Sequence, residues 1–463
     1  MFLMLPKPSV YCFFRTPHVV AKAAIERLNF AGGRILDPAV GDGSLIRCIK
    51  DHSCYPGRLI GIDIDQERIS SLSSEWRNRS STVQARFIAT DFLTWHPGTS
   101  NCDSYGELFD YVVVNPPFRY KSSYGRQQGD EILYCGEVVR ISLEAAFLIR
   151  SIKLLRSAGR MVAIVPSSLI SGETFLWFRR HLMELGKIEM VQELPRYAFS
   201  QVEGPVFLLS FVKGEYTSNI LLTDLSLTRT VCLEVSDKSS GDCRLDISYR
   251  AARVEQTRRI CRSEVEWVPL CSVAEVIRGT LQSPLGKRFG MHSTDRRDGF
   301  WWGHERQLIQ ATSKVSCVRS GDLLLQRVGR SCSKSLGLVV NGIGVECSDC
   351  VFIIRPYGMV SDVRLLLLAR AVLALPETQA VLEKGMGAKY LTLRAVLGLR
   401  IPLLDDRNLP FVFSQYLNAV SQRDRVLMEA LERELGDVLN TAMSPGGSIR
   451  ISPDTRSLSL DPE

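Results

Sequence analysis

The sequence predicts an α/β fold: a doubly wound, largely parallel sheet with helices on both faces, followed by a smaller α+β region. Three observations predict it. Short β-branched runs alternate with helix-periodic stretches through the first half of the chain. Four of those runs end in polar turns that carry Asp, Gly, Asn or Pro. Beyond about Tyr216 the alternation stops, and polar, then basic, sequence takes over.

The strand candidates in chain order are "RILDPAV" (34–40), "RLIGIDID", "ARFIATDF", "FDYVVVNPPF", "GRMVAIVP" and "PVFLLSFV". Helix periodicity falls on residues 21–28, 44–50 and 138–155, the last closed by Gly159. In sheets of this kind ligands bind beyond the carboxyl ends of the strands. Chemistry is therefore expected in the turns.

At 463 residues the chain is long enough for two or three domains. Its 45% hydrophobic and 23% charged content is that of a soluble globular protein. No run approaches the roughly 18 apolar residues that a membrane helix needs. The nearest, "VRLLLLARAVLAL", is interrupted by Arg364 and Arg370. The apolar start "MFLMLPKPSV" contains Pro6 and Pro8 and no small-residue cleavage site, so no signal peptide is expected. The 13 cysteines have no framework spacing. Cys347 and Cys350 form a C-x-x-C pair without a second pair or a histidine at zinc spacing, so no metal is expected. Reduced thiols without an export signal point to the cytoplasm.

Net charge is +7, and it is concentrated. Residues 250–330 hold 15 Lys/Arg against 8 Asp/Glu, which leaves the rest near neutral. A local basic excess suits a polyanion such as nucleic acid; a solvated basic face is the plainer reading.

The strand ends are more specific. After "RIL" come Asp37, Pro38, Ala39, Val40, Gly41, Asp42, Gly43 and Ser44. Gly41 and Gly43 let the backbone approach a ligand, and the next helix offers its N-terminal amides. Asp63 follows twenty residues after Gly43, where a carboxylate can accept both ribose hydroxyls. "ATDF" places Asp91 and Phe92 at the third strand end, an acceptor for an adenine amino group beside a ring to pack on the base. Each acid alone reads equally as a turn residue or helix cap. Together they describe a nucleoside pocket. G-x-x-x-x-G-K-[ST] is absent, and the third glycine of G-x-G-x-x-G is missing at Ile46. S-adenosylmethionine, which carries adenosine and an amino acid but no phosphate, fits better than a nucleotide.

The fourth strand end, "VVVNPPF", closes the series. With "DPAVGDGS", "GIDID" and "TDF" before it, the first half resembles the DNA amino-methyltransferases, in the gamma (Taq-type) order of motifs. The resemblance implies a Rossmann-like methyltransferase sheet, S-adenosylmethionine as cofactor and duplex DNA as substrate. It implies that Asn115, Pro116, Pro117 and Phe118 act on the target base, and that Thr16 and Pro17 help hold the cofactor's amino-acid end. Asp37, Pro38, Ala39, Gly41, Gly43, Asp63, Asp91 and Phe92 would complete the cofactor site. A poorly nucleophilic adenine N6 needs acceptors that orient it: the Asn115 side-chain oxygen and the Pro116 carbonyl supply two, and adjacent prolines hold the turn stiff without adding donors. Phe118 would stack on the base. The base must leave the duplex, so a second aromatic wall is expected, with Phe199 a better match than Tyr197. Asn at the first motif position leans to adenine N6; cytosine N4 is the alternative.

The second half, with "GDLLLQRVG" and "LGLRIPLL", resembles one target recognition unit of type I restriction specificity subunits. That implies a DNA-reading domain and a monomer recognising an asymmetric site. Arg296, Arg297, Arg306, Arg327 and Arg330 are its candidate phosphate or guanine contacts. The expected organisation is a methyltransferase domain at 1–235, recognition domain at 248–405, an amphipathic helix at 411–443 and a Ser/Pro/Gly-rich tail at 444–463 without fixed structure. No nuclease motif is evident, so modification without cleavage is expected, with any restriction endonuclease a separate partner. A DNA-binding specificity protein with an inactive methyltransferase half is the reading from another class.

Overall fold

The computed structural model describes residues 14–51, 56–77, 84–97, 108–117, 131–134, 137–199, 204–216, 219–225, 228–234, 243–263, 265–280, 292–293, 296–297, 300–301, 317–339, 345–358, 362–385, 389–404, 411–422 and 424–442. The chain forms two compact units, Met1–Arg250 and Ala251–Glu463.

The first unit is built on a nine-stranded sheet. In chain order its elements are α1 (His18–Leu28), β1 (Arg34–Asp37), α2 (Ser44–Arg47), β2 (Arg58–Asp63), α3 (Gln66–Arg77), β3 (Gln84–Ala89) and β4 (Phe109–Val114). A hairpin of β5 (Glu131–Tyr134) and β6 (Glu137–Arg140) stands apart from that sheet. Then come α4 (Leu143–Leu154), β7 (Leu155–Pro166), α5 (Ser167–Ser171), α6 (Leu176–Leu185), β8 (Gly186–Glu193), β9 (Val206–Lys213), β10 (Asn219–Asp224) and β11 (Thr230–Glu234).

The sheet order is β11-β10-β8-β9-β7-β4-β1-β2-β3. From β3 through β7 all pairings are parallel. The order reverses at β1: β2 and β3 lie on one side of it, β4 and β7 on the other. Such a reversal opens a crevice at the carboxyl ends of the two central strands. β9, the "PVFLLSFV" strand, runs antiparallel between β7 and β8, so the sheet is mixed, with most of its pairings parallel. Among the described residues only the 3-10 turn Arg196–Phe199 joins β8 to β9, with no crossover helix to return the chain to the other end of the sheet.

Both sheet faces are covered, which is why the central strands are apolar throughout. Val112 and Val114 pack on one face with Phe147, Leu148 and Ile152 of α4; Val113 packs on the other with Val20, Ala24 and Ile25 of α1. β1 divides in the same way, Leu36 to the first face and Ile35 to the second.

The helix expected over 138–155 is shorter. Glu137–Arg140 is a strand, and α4 begins only after Ser142, whose hydroxyl accepts from the Ala145 amide at 3.3 Å. The β-branched pair in "EVVR" favours extended structure, and the N-cap serine fixes the helix start. The helix ends at Leu154, and Gly159 lies inside β7.

The second unit contains a six-stranded sheet in the order Ala274–Arg278, Val351–Pro356, Leu323–Gln326, Gly337–Val339, Phe300–Trp301, Arg296–Arg297. Trp267–Pro269 pairs antiparallel with Arg400–Pro402, so the segments that open and close the expected recognition region meet. One face of the six-stranded sheet packs on the helix Asp362–Ala374 and on the C-terminal helices. There the single helix expected over 411–443 is two, Val412–Gln422 and Arg425–Ala442. Asp424 starts the second: its side chain accepts from the Leu427 amide at 3.0 Å and its carbonyl from Met428 at 3.1 Å. Arg370 donates to the Tyr416 hydroxyl at 2.7 Å and pairs with Glu432, which ties both helices to Asp362–Ala374. The expected tail, 444–463, lies outside the described residues. No single described helix is long and apolar enough to cross a membrane.

Gly61 sits in β2 where a Cβ would stand 2.7 Å from the Phe87 ring and 3.0 Å from Val40. Gly61→Val is expected to lower stability by about 1–3 kcal/mol through overpacking, read as a lower urea midpoint at unchanged slope.

Candidate active site at the carboxyl ends of the central strands

A cavity opens where β1, β2, β3 and β4 end. Its wall takes Pro38 to Asp42 from the loop after β1, Asp63 to Asp65 after β2, Thr90 to Leu93 after β3, and Asn115 to Pro117 after β4. Phe14 and Thr16 add the N-terminal segment; Leu143 and Phe147 add α4.

Gly41 and Gly43 both have positive φ, 54° and 80°, so the loop after β1 turns in a conformation that side chains resist. A Cβ on Gly43 would also lie 2.7 Å from Leu72. Gly43 thus acts from behind the wall. The Asp63 carboxylate holds the loop from the next strand, accepting from the Gly41 amide at 2.9 Å and from the Asp65 amide at 2.9 Å. A carboxylate has about four acceptor sites, so it retains capacity for a ligand's hydroxyls. Asp91 accepts from the Leu93 amide at 2.9 Å and is exposed at the cavity.

Asp37 is fully buried and does not line the cavity. One oxygen accepts from the Ala39 amide at 3.1 Å; the other has no partner among the described residues. Burial pushes its pKa up to about 8, the Ala39 amide opposes this, and the nearby Asp63 and Asp42 charges add to it.

Asn115 is where the motif series converges. Its Nδ2 donates to the Phe14 carbonyl at 3.3 Å and to Thr16 Oγ1 at 3.0 Å. Its Oδ1 is buried and unpaired among the described residues. Pro116 and Pro117 line the cavity beside it; Phe118 lies outside the described residues. Thr16 is on the wall, whereas Pro17 is off it and sits at the N-cap of α1.

The aromatic candidates sit differently. Phe92 belongs to the cavity wall; the residue is 2% exposed and its ring centroid lies 5.2 Å from that of Phe147. The exposed apolar side chain at these strand ends is Ile64, 56% exposed, which the sequence reading passed over as the residue between two acids. Phe199 is 6% exposed and lies in the core, while Tyr197 on the same 3-10 turn is 84% exposed. The tight turn sends Phe199 inward and leaves Tyr197 outside.

The arginines also divide. Arg327 donates to the Asp349 carbonyl and pairs with its carboxylate at 3.1 Å, so it braces a turn rather than standing free for phosphate. Arg330 is exposed. Arg296 and Arg297 form a strand; Arg306 lies outside the described residues. Cys347 is buried in an apolar cluster with Val318, Leu324 and Ile353, and Cys350 is partly buried next to Asp349.

Residues 11–233 match the family model described as N-6 DNA Methylase. The match covers the strands and loops that form the cavity. The chain is 26% identical over 178 residues to the Type II methyltransferase M.TthHB8I of Thermus thermophilus, covering 34% of this chain and 35% of that protein. It is 24% identical over 226 residues to the Type I restriction enzyme EcoEI methylase subunit of Escherichia coli, covering 45% and 44%. It thus spans less than half the length of these curated relatives. The crystal structure of the type IIG restriction endonuclease BpuSI aligns with 93% of this chain and 66% of its own, at 14% identity and a TM-score of 0.48. The family match supports S-adenosylmethionine as the cofactor, and the cavity fits it: acids stand at the ends of β2 and β3, Ile64 offers an apolar face, and no phosphate loop is present among the described residues.

The raised Asp37 pKa carries a sign. Between the unfolded value, about 3.9, and the folded value of about 8, the folded chain holds a proton that the unfolded chain has released, so stability falls as pH rises. Asp37→Asn removes this dependence. The melting temperature of the variant is expected to gain on that of wild type steadily from about pH 5 to pH 8. Parallel curves would show that Asp37 is not the group responsible.

Proposed function

We propose that this chain is a site-specific DNA methyltransferase that transfers a methyl group from S-adenosylmethionine to adenine N6 in duplex DNA. The observation that carries the reading is the buried Asn115 Oδ1 on the cavity wall, unpaired among the described residues. A buried acceptor left without a donor costs about 1–3 kcal/mol. An amine presented at the cavity supplies the missing donor.

The bound cofactor supplies an electrophilic methyl on a sulfonium. The chain's own residues position the nucleophile. Asn115 Oδ1 and the Pro116 carbonyl each accept one N6 hydrogen, which pyramidalises the amine and turns its lone pair toward the methyl. With the cofactor bound, its methyl would take the N6 lone pair as the C–S pair leaves on sulfur, and the methylated nitrogen would give up a proton to water. Asp63 takes the ribose hydroxyls, Asp91 the adenine amino group of the cofactor, and Thr16, beside Asn115, its amino-acid end.

An adenine inside a duplex must be extruded to reach this cavity. Phe118 is the expected stacking partner on one side. With Phe199 in the core, the exposed aromatic offered by the segment before β9 is Tyr197. The basic second unit, with Arg330 exposed and Arg296 and Arg297 in its sheet, is the proposed DNA-reading part. Any restriction endonuclease would be a separate partner, and the single recognition unit suits a monomer.

Incubating the protein with S-adenosylmethionine and unmethylated DNA, then digesting to nucleosides, is expected to give N6-methyladenine. N4-methylcytosine, or label on RNA or protein but not on DNA, would overturn the assignment. Asn115→Ala is expected to lower transfer at least about 100-fold while leaving cofactor affinity nearly unchanged. Asp63→Ala is expected to do the reverse, weakening cofactor binding by about tenfold or more in calorimetry. Loss of cofactor binding in Asn115→Ala would mean that the side chain serves the cofactor instead.

A further inference from the structure

We propose that residues 14–16 are a positioning element, with Thr16 its key side chain, that fixes which end of the Asn115 carboxamide faces the target amine. The inference rests on the functional reading above and concerns how Asn115 is aimed.

A carboxamide has an acceptor end and a donor end of nearly the same shape, and a half-turn exchanges them. Only one orientation accepts an N6 hydrogen. The partners of Asn115 choose it. The Phe14 backbone carbonyl has no proton and can only accept, so the amide nitrogen must face it. Thr16 Oγ1 accepts the second amide hydrogen at 3.0 Å. Both donors are then satisfied by one short segment, and Oδ1 is left without a partner among the described residues. The reversed orientation would press Oδ1 against the Phe14 carbonyl, acceptor against acceptor, and offer a donor to an amine that needs an acceptor.

Phe14 and Thr16 are also cavity wall. Between them Arg15 pairs with Asp42 on the loop after β1 at 3.1 Å. That ion pair is largely exposed and contributes little alone; the two hydrogen bonds to Asn115 do the aiming. One segment thus walls the cofactor cavity and orients the group that grips the target, so the two are set together.

The test uses the full chain with Thr16→Val, which keeps the shape and removes the hydroxyl, and Thr16→Ser, which keeps the hydroxyl. Cofactor affinity is measured by calorimetry with S-adenosylmethionine. Transfer is measured as a single turnover of labelled methyl from saturating S-adenosylmethionine to unmethylated genomic DNA of mixed sequence. Saturation removes any contribution of Thr16 to cofactor affinity. Thr16→Val is expected to slow the saturated turnover about tenfold, the loss of roughly one hydrogen bond, and Thr16→Ser to stay within about threefold of wild type. A saturated rate unchanged in Thr16→Val, with only affinity reduced, would overturn the inference and leave the functional reading standing. Equal impairment of both variants would also overturn it, because a packing role does not distinguish them by the hydroxyl. A wild-type protein that binds cofactor but labels no DNA would overturn the functional reading and this inference together.

Discussion

Where the Asn115 carboxamide points is the constraint on which the rest of the site depends. β4 delivers it: three valines buried on alternate faces hold the strand rigid up to Val114. Pro116 then removes any continuation of the ladder, and Pro117 repeats the restriction. The turn has no freedom to swing the side chain elsewhere, and the hydrogen bonds that Asn115 Nδ2 donates to the Phe14 carbonyl and Thr16 Oγ1 remove the last rotation. What remains is one oxygen at the edge of a cavity that no described residue satisfies. Its cost is tolerable because the surrounding sheet is anchored in two apolar cores.

The second constraint is topological. Reversal of strand order at β1 brings four carboxyl ends around one crevice, so residues as far apart in sequence as Pro38 and Pro117 share a wall. The loop glycines and Asp63 then shape that wall cooperatively. Gly41 offers its amide to Asp63, while the Asp63 carbonyl accepts from Thr90 at 2.9 Å, so three successive strand ends are linked by backbone and carboxylate. Asp37 is the expensive member of this group, a carboxyl buried beneath its own loop among like charges.

The strand ends were legible because their chemistry is local. A β-branched run followed by Asp, Gly or Asn-Pro-Pro announces its own turn, and the order of those turns gave the sheet's central strands. What depended on distant partners was not legible. Phe92 looks available in sequence, but Phe147 claims its ring from α4. Arg327 looks like a phosphate ligand until Asp349, on another loop, is found against it. The alternation of Phe199 and Tyr197 between core and solvent follows from a 3-10 turn too short to show a period. β8, "GKIEMVQE", was missed because Lys187, Glu189 and Gln192 dilute its apolar positions; Lys187 and Glu189 share an ion pair on the sheet. The break at Asp424 was hidden because helical periodicity resumes with little change of phase on the other side.

The orientation of one amide links the cofactor site to the target. The most direct measurement is a crystal structure of the protein with an unreactive S-adenosylmethionine analogue and duplex DNA carrying the modified sequence. The account predicts an extruded adenine whose N6 lies within about 3 Å of Asn115 Oδ1, with Nδ2 still on Phe14 and Thr16. An Asn115 oxygen turned to a protein donor, or a target amine held by other groups, would contradict it.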